Sequence, residues 1–169
     1  MSGFRIEFHS ERCTGCQACV AACMGEKDID STLGERPLCR IREKESERNE
    51  KILLTWERTA CRHCQKPACA SVCPGGGLWK DQKTGYVLYD KSLCVACGQC
   101  MKACEAGAVS FDRKHVIQKC DGCRDRVLAG LQPVCVQVCA WGAMELVREP
   151  DMEGNRETVR VLKSYKISI

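Results

Sequence analysis

Cys94-Val-Ala-Cys97-Gly-Gln-Cys100-Met-Lys-Ala-Cys104 places four thiols in one short run with the spacing C-x2-C-x2-C-x3-C. Cysteines at i, i+3 and i+6 can wrap a loop round one face of an iron–sulfur cube and give each of three irons the soft thiolate ligand that such clusters take. One iron is then left without a ligand. The fourth cysteine lies one helical turn further on and points away, so it serves a neighbouring cluster instead. One run therefore implies a partner run.

The chain supplies three partners. Cys13, Cys16, Cys19 and Cys23 repeat the spacing to the residue. Cys61, Cys64, Cys69 and Cys73 widen only the middle gap, and Cys120, Cys123, Cys135 and Cys139 widen it further. This return of one unit is the internal repeat of the chain, and four tetrads imply four [4Fe-4S] clusters with sixteen ligands.

Composition agrees. Seventeen cysteines in 169 residues are about a tenth of the chain, the level of a covalently or metal-stapled scaffold. The hydrophobic fraction of 44% counts those cysteines, and aromatics are only 5%, so little apolar bulk remains for a conventional core. Clusters must serve as core, binding free energy becomes folding free energy, and the apo chain is expected to be largely unfolded. The formal charge of +4 is no signal for nucleic acid. Sixteen thiolates outweigh the roughly two positive charges of each oxidised cube, which leaves the loaded chain near −4 as an estimate. No basic run interleaves with aromatics as a phosphate-tracking groove would. The first residues show neither a basic segment followed by an apolar one nor a twin arginine, and no stretch approaches a membrane span. The expected location is the cytoplasm without direct membrane insertion, with export alongside a signal-bearing partner as the other route.

In chain order, Phe4–Phe8 alternates apolar and polar residues and predicts an edge strand. A helical turn over Gln17–Cys23 follows, with His9 as a solvated strand end rather than a ligand. Leu38–Arg42 and Ile52–Trp56 flank the polar stretch 43–50, which predicts a hairpin with a long solvated turn. The odd thiol, Cys39, reads as buried and inert, since no basic helix terminus stands near it in sequence to lower its pKa. His63 lies inside the second tetrad, whose four thiols already suffice, and is expected to hydrogen-bond a cluster sulfur or the backbone. Leu78–Lys80 and Tyr86–Tyr89 predict a second hairpin. Ala108–Phe111 and Ala143–Val147 predict strands after the third and fourth tetrads, and the charged tail 149–169 predicts a further strand over 156–162.

The set Cys61-x-His63-Cys64-x-x-Pro67-x-Cys69, followed by Cys120-Asp121-x-Cys123-x-x-Arg126 with Gly130, Pro133, Cys135 and Cys139, resembles the four-cluster ferredoxin-like subunits of molybdenum and tungsten pterin oxidoreductases. Dimethyl sulfoxide reductase is one such enzyme; related subunits serve formate dehydrogenases, formate-hydrogen lyase and hydrogenase complexes, carbon monoxide dehydrogenase and tungsten aldehyde oxidoreductases. The resemblance covers residues 5–148. It departs in lacking proline after Cys23, Cys104 and Cys139, and in lacking the long insertions and membrane anchor of many exported members. Cys97 is retained where some members carry tryptophan and hold a three-iron cluster, so four cubes are implied.

The resemblance implies an α+β architecture, a tandem bacterial dicluster-ferredoxin-like fold with short helices and β-hairpins around four cubane clusters. Residues 1–60 with 105–169 would form an outer half, and residues 61–104 an inner half. Together with the crossed-ligand rule it implies the ligand sets Cys13, Cys16, Cys19 with Cys139; Cys120, Cys123, Cys135 with Cys23; Cys61, Cys64, Cys69 with Cys104; and Cys94, Cys97, Cys100 with Cys73.

Structural zinc is a poor rival, because it rarely takes three cysteines in seven residues. A disulfide scaffold is disfavoured by the odd count and by the tight clustering. A catalytic iron–sulfur enzyme would need an open coordination site or a second cofactor pocket, and no nucleotide or pterin motif is present. The expectation is a non-catalytic electron-transfer subunit that relays electrons between a larger catalytic subunit and a second redox subunit, a soluble carrier or a further copy of itself, the last allowing a filament. A freely diffusing polyferredoxin is the alternative.

Overall fold

The computed structural model describes residues 3–48, 51–148 and 157–158. Strand β1 (Phe4–Phe8) forms where the alternation predicts it and lies at the edge of a sheet ordered β1-β8-β9, with β8 at Met144–Arg148 and β9 at Glu157–Thr158. The β1–β8 pairing is antiparallel, with Phe4 opposite Arg148 and Phe8 opposite Met144, and so ties the two ends of the cysteine array together. Of the strand expected at 156–162, only Glu157 and Thr158 fall within the described residues; they pair with Arg148 and Val147.

Helix α1 (Ala18–Glu26) follows the first cysteine loop. The hairpin β2 (Arg40–Arg48) and β3 (Lys51–Thr59) is longer than expected: the charged stretch from Glu43 to Arg48 is strand, not turn, with Glu47 opposite Ile52 and Arg48 opposite Lys51. The sequence Ile52-Leu53-Leu54-Thr55-Trp56 is rich in strand formers, and its backbone ladder recruits the charged partner strand, whose side chains stay in water. Lys44 and Glu57 pair diagonally across it at 2.7 Å.

Short helices then deliver the remaining cysteines. Helix α2 (Ala68–Ser71) precedes the hairpin β4 (Leu78–Lys80) and β5 (Val87–Tyr89). Helix α3 (Gln99–Lys102) precedes a hairpin of β6 (Val109–Phe111) and β7 (Ile117–Lys119). Strand β7 is not foreshadowed by the sequence pattern, because its three residues include the polar Gln118 and Lys119. The long gap in the fourth tetrad holds helix α4 (Arg124–Leu128), and α5 (Val134–Gln137) carries Cys135.

The packing separates into two cores. Helix α1 packs on α5, and α2 on α3. Around the first pair sit Ile29, Leu38, Ile41, Val127, Val136, Met144 and Leu146; around the second sit Leu78, Val87, Val109 and Ile117. Strand β5 is the wall between them. Side chains alternate across a strand, so Tyr86 and Leu88 enter the first core and Val87 the second.

Trp56 of β3 covers the first cysteine loop at Gly15, whose φ is +69° and where an added Cβ would stand 2.2 Å from Trp56 Cη2. Gly34, at φ +80°, has nothing within 4 Å of such a Cβ. Gly15→Ala should therefore lower the stability of the cluster-loaded protein by about 1–3 kcal/mol more than Gly34→Ala, from overpacking added to the same backbone strain. Thermal unfolding of the two variants side by side checks this, and equal losses would mean that the hairpin is not seated on the loop.

Candidate metal centres

The four C-x2-C loops share one backbone device. The residue immediately before the second cysteine is left-handed in each: Gly15 at φ +69°, His63 at +50°, Ala96 at +54° and Gly122 at +72°. Turning the chain this way points amide hydrogens inward. The amides of Gly15 and Gly122 approach the sulfurs of Cys13 and Cys120 at 3.5 and 3.4 Å, and those of Ile117 and Ala108 reach Cys94 and Cys104 at 3.4 Å each. Such concave amide arrays suit anions, including the sulfurs of a cluster. Sequence inspection missed this repeat because Gly, His, Ala and Gly share no side-chain chemistry, and the two non-glycine residues hold a conformation that costs them free energy.

All seventeen cysteines are free thiols. Their grouping follows space, not chain order. Cys13, Cys16 and Cys19 line one concavity with Cys139. Cys61, Cys64 and Cys69 line a second with Cys104, and Cys94, Cys97 and Cys100 a third with Cys73. Cys23 lies among the remaining set: burial, and then the charges of Cys120, Cys39 and Cys123, push its pKa up to about 12. Burial likewise raises Cys69, with Cys61 and Cys104 adding to it, and Cys100, with Cys73 and Cys97 adding to it. These thiols resist ionisation unless a metal takes up the negative charge, which is the behaviour of ligands whose site forms with the metal. Thiolates of a cube each take a different iron and stand apart; among the described residues no three Cys, His, Asp or Glu side chains close on one point. The donor set, the inward amides and the concavities fit [4Fe-4S] clusters.

The other motif residues build the loops. Asp121 accepts hydrogen bonds from the Cys123 amide at 3.0 Å and from Lys27 Nζ at 2.8 Å, which joins the fourth loop to the end of α1. Arg126 Nε donates to the Gln132 carbonyl at 3.0 Å and so closes the turn before Pro133, the residue that starts α5. Cys39 is buried, at 1% exposure, as expected. Its pKa is nonetheless lowered, first by Cys19 and then, against burial, by the charge of Arg58, which is distant in sequence and belongs to a strand rather than a helix terminus. His9 is half-buried between Glu11 and Glu145, at 3.5 and 3.4 Å, rather than simply solvated.

With this geometry the protein can be compared with known ones. Residues 53–149 match the family described as 4Fe-4S dicluster domain. The protein belongs to that family. Among relatives of this dicluster protein, the B subunit of the anaerobic dimethyl sulfoxide reductase of Escherichia coli (strain K12) is 35% identical over 149 residues, covering 85% of this protein and 71% of the relative. The thiosulfate reductase electron transfer subunit PhsB of Salmonella typhi is 36% identical over 154 residues, covering 89% and 79%. The formate dehydrogenase-O iron-sulfur subunit of Escherichia coli (strain K12) is 28% identical over 170 residues, covering 92% of this protein and 54% of the relative. The α+β dicluster architecture with short helices and antiparallel hairpins is therefore as expected, and the molecule is an iron–sulfur electron-transfer protein rather than a catalytic one.

His63 shows how this dicluster fold uses a polar residue. Its Nδ1 accepts the Val87 amide at 3.0 Å, and its ring packs on Tyr86 with centroids 4.5 Å apart. Burial first, and then the charges of Lys119, Lys80 and Arg58, hold its pKa well below the ordinary value, so the imidazole is neutral and can accept. The backbone bond expected of it is present. His63→Ala should leave the iron content unchanged and lower stability by about 1–3 kcal/mol, the cost of stranding a buried amide. Iron analysis and denaturant unfolding of the loaded variant check this; loss of one cluster's worth of iron would make His63 a ligand after all.

Proposed function

We propose that the chain holds four [4Fe-4S] clusters in a row and relays electrons between a larger catalytic oxidoreductase subunit, carrying a molybdenum or tungsten pterin centre, and a second redox partner. The observation that carries the reading is the crossed grouping of thiols, in which three cysteines of one run share a concavity with the last cysteine of another. The ligand sets are Cys13, Cys16, Cys19 and Cys139; Cys120, Cys123, Cys135 and Cys23; Cys61, Cys64, Cys69 and Cys104; and Cys94, Cys97, Cys100 and Cys73. We assign residues 1–60 with 105–169 to the outer ferredoxin-like half and residues 61–104 to the inner one, although Val109 and Ile117 of the outer segment pack into the inner core. The clusters would supply one-electron chemistry; the chain's own residues bind, separate and insulate them.

The neighbour relations give the order. Cys120 lies within the field of Cys61, so the two halves meet at those two sets. The sets of Cys13 and Cys94 are then the ends, and each has an exposed ligand, Cys16 and Cys97, as the set of Cys61 also has in Cys64. Exposed apolar side chains stand beside each: Trp141 at 66% near the first, Val95 at 66% near the second. Two such ends suit two partners, because exchange with one partner would need only one cluster. The relatives named as electron transfer and iron-sulfur subunits support a catalytic partner here. A further copy of this chain at the far end would give a filament, whereas a soluble carrier there would not. No helix among the described residues is long and apolar enough to cross a membrane, and we place the protein in the cytoplasm unless a signal-bearing partner exports it.

Anaerobic reconstitution should give iron and acid-labile sulfide each near sixteen per chain, four for each of four tetrads. Cys104→Ser should perturb the cluster of Cys61, Cys64 and Cys69 and leave that of its own run intact by electron paramagnetic resonance; the opposite pattern would end the crossed assignment. Native protein isolated from anaerobic lysate should co-purify with a catalytic oxidoreductase subunit. Elution as a lone chain near 18.8 kDa would favour a diffusing carrier, and substrate turnover by the purified chain alone would make it an enzyme.

A further inference from the structure

Two cations, Lys119 fully buried and Arg58 half-buried, stand where the halves meet, and the loop and hairpin architecture does not account for them. Lys119 closes β7 with 0% exposure. Its Nζ donates to the carbonyls of Val87 and, at 2.7 Å, of Cys120, and stands 5.5 Å from the centre of the Tyr89 ring. Arg58 comes from β3; its Nε is sealed from solvent without a hydrogen-bond partner, and it lines a concavity with Cys61 and Cys64. Among the described residues neither cation forms an ion pair with a carboxylate, although both are drawn from a chain with 22 acidic residues. A cation taken out of water without an anion is costly, so its compensating charge has to lie elsewhere in the molecule.

The nearest negative charge is sulfur. Arg58 acts on Cys120 and Cys135, and Lys119 on Cys120 and Cys69, in each case opposing the effect of burial. Lys119 bonds the Cys120 carbonyl and Arg58 lines a concavity with Cys61 and Cys64, so both cations stand at the two ligand sets that face each other across β5. Guanidinium stays protonated in proteins, and two carbonyls and an aromatic face surround Lys119 Nζ.

We propose that Lys119 and Arg58 are the fixed counter-charges of the two central clusters, held by Cys61, Cys64, Cys69 and Cys104 and by Cys120, Cys123, Cys135 and Cys23, and that they raise the reduction potentials of those two clusters. The proposal rests on the four-cluster reading. An electron that arrives from a one-electron donor adds one negative charge and moves no proton. Beside a buried cation in a medium of low dielectric the reduced state is favoured, and net charge and burial are known levers on such potentials. Both are positioning residues. They make the middle of the row a favourable landing, so that an electron entering at either end is drawn inward.

The test uses the full chain, reconstituted anaerobically and titrated with dithionite under electron paramagnetic resonance. Signals are assigned by their sensitivity to Cys64→Ser and Cys123→Ser. Lys119→Met and Arg58→Met should each lower the midpoint of at least one central cluster by a tenfold or greater change in its reduction equilibrium, about 59 mV for one electron. The end clusters should move far less, and Arg58→Lys should recover most of the Arg58→Met shift. A uniform shift of all four, or no shift, would overturn the proposal. So would failure of both methionine variants to load iron, which would confine the cations to folding. A wild-type chain whose iron and sulfide fall short of sixteen would instead refute the four-cluster reading, and the two failures are thereby told apart.

Discussion

The fold depends on bringing each run's last cysteine to another run's first three. A three-cysteine loop leaves a cube one donor short, and the donor proposed to complete it lies on a helix one turn beyond a different loop. Two segments far apart in the chain are drawn into each half: Cys139 comes beside Cys13, Cys16 and Cys19, and Cys104 beside Cys61, Cys64 and Cys69. Helix α1 against α5, and α2 against α3, are the packing expression of that exchange. The antiparallel closure of β1 on β8 holds the outer pair shut. Each helix is too short to be stable alone; position, not propensity, keeps it.

Charge is the second constraint. Burial raises the pKa of Cys23, Cys69, Cys100 and Cys120, so these thiols give up their protons only to a metal, and cluster binding expels protons. The molecule answers the resulting negative interior with amide hydrogens aimed at sulfur, and with Lys119 and Arg58 at the centre. It does so with few apolar side chains. Leu78, Val87, Val109 and Ile117 make up the buried aliphatic part of the inner core, with Cys100 completing it, which is little for a domain to stand on without metal.

The β2–β3 hairpin has a different logic. Its base is anchored by Trp56 over the first cysteine loop and by Ile41 in the outer core. Further out, Ile52 and Leu54 are exposed at 72% and 58%. The hairpin thus links the surface to the first ligand loop through a continuous backbone ladder. It also supplies Arg58, the cation that reaches the centre of the molecule from outside the ligand runs.

Much was legible in the sequence, because ligand spacing is a local property. C-x2-C-x2-C fits one face of a cube whatever surrounds it, so the tetrads, the short helices after them and the hairpins between them could be read from residue order. Three features required the tertiary structure. The left-handed residue before each second cysteine is set by loop closure and is shared by glycine, histidine and alanine alike, so no residue type announces it. The strand character of the charged stretch after Ile41 comes from its partner strand, since backbone hydrogen bonds across a ladder do not depend on side-chain polarity. The placement of Arg58 beside Cys39, and of Lys119 at the junction of the halves, joins residues from separate elements. Burial turns these two ordinary cations into local sources of field, and burial exists only once the chain has folded.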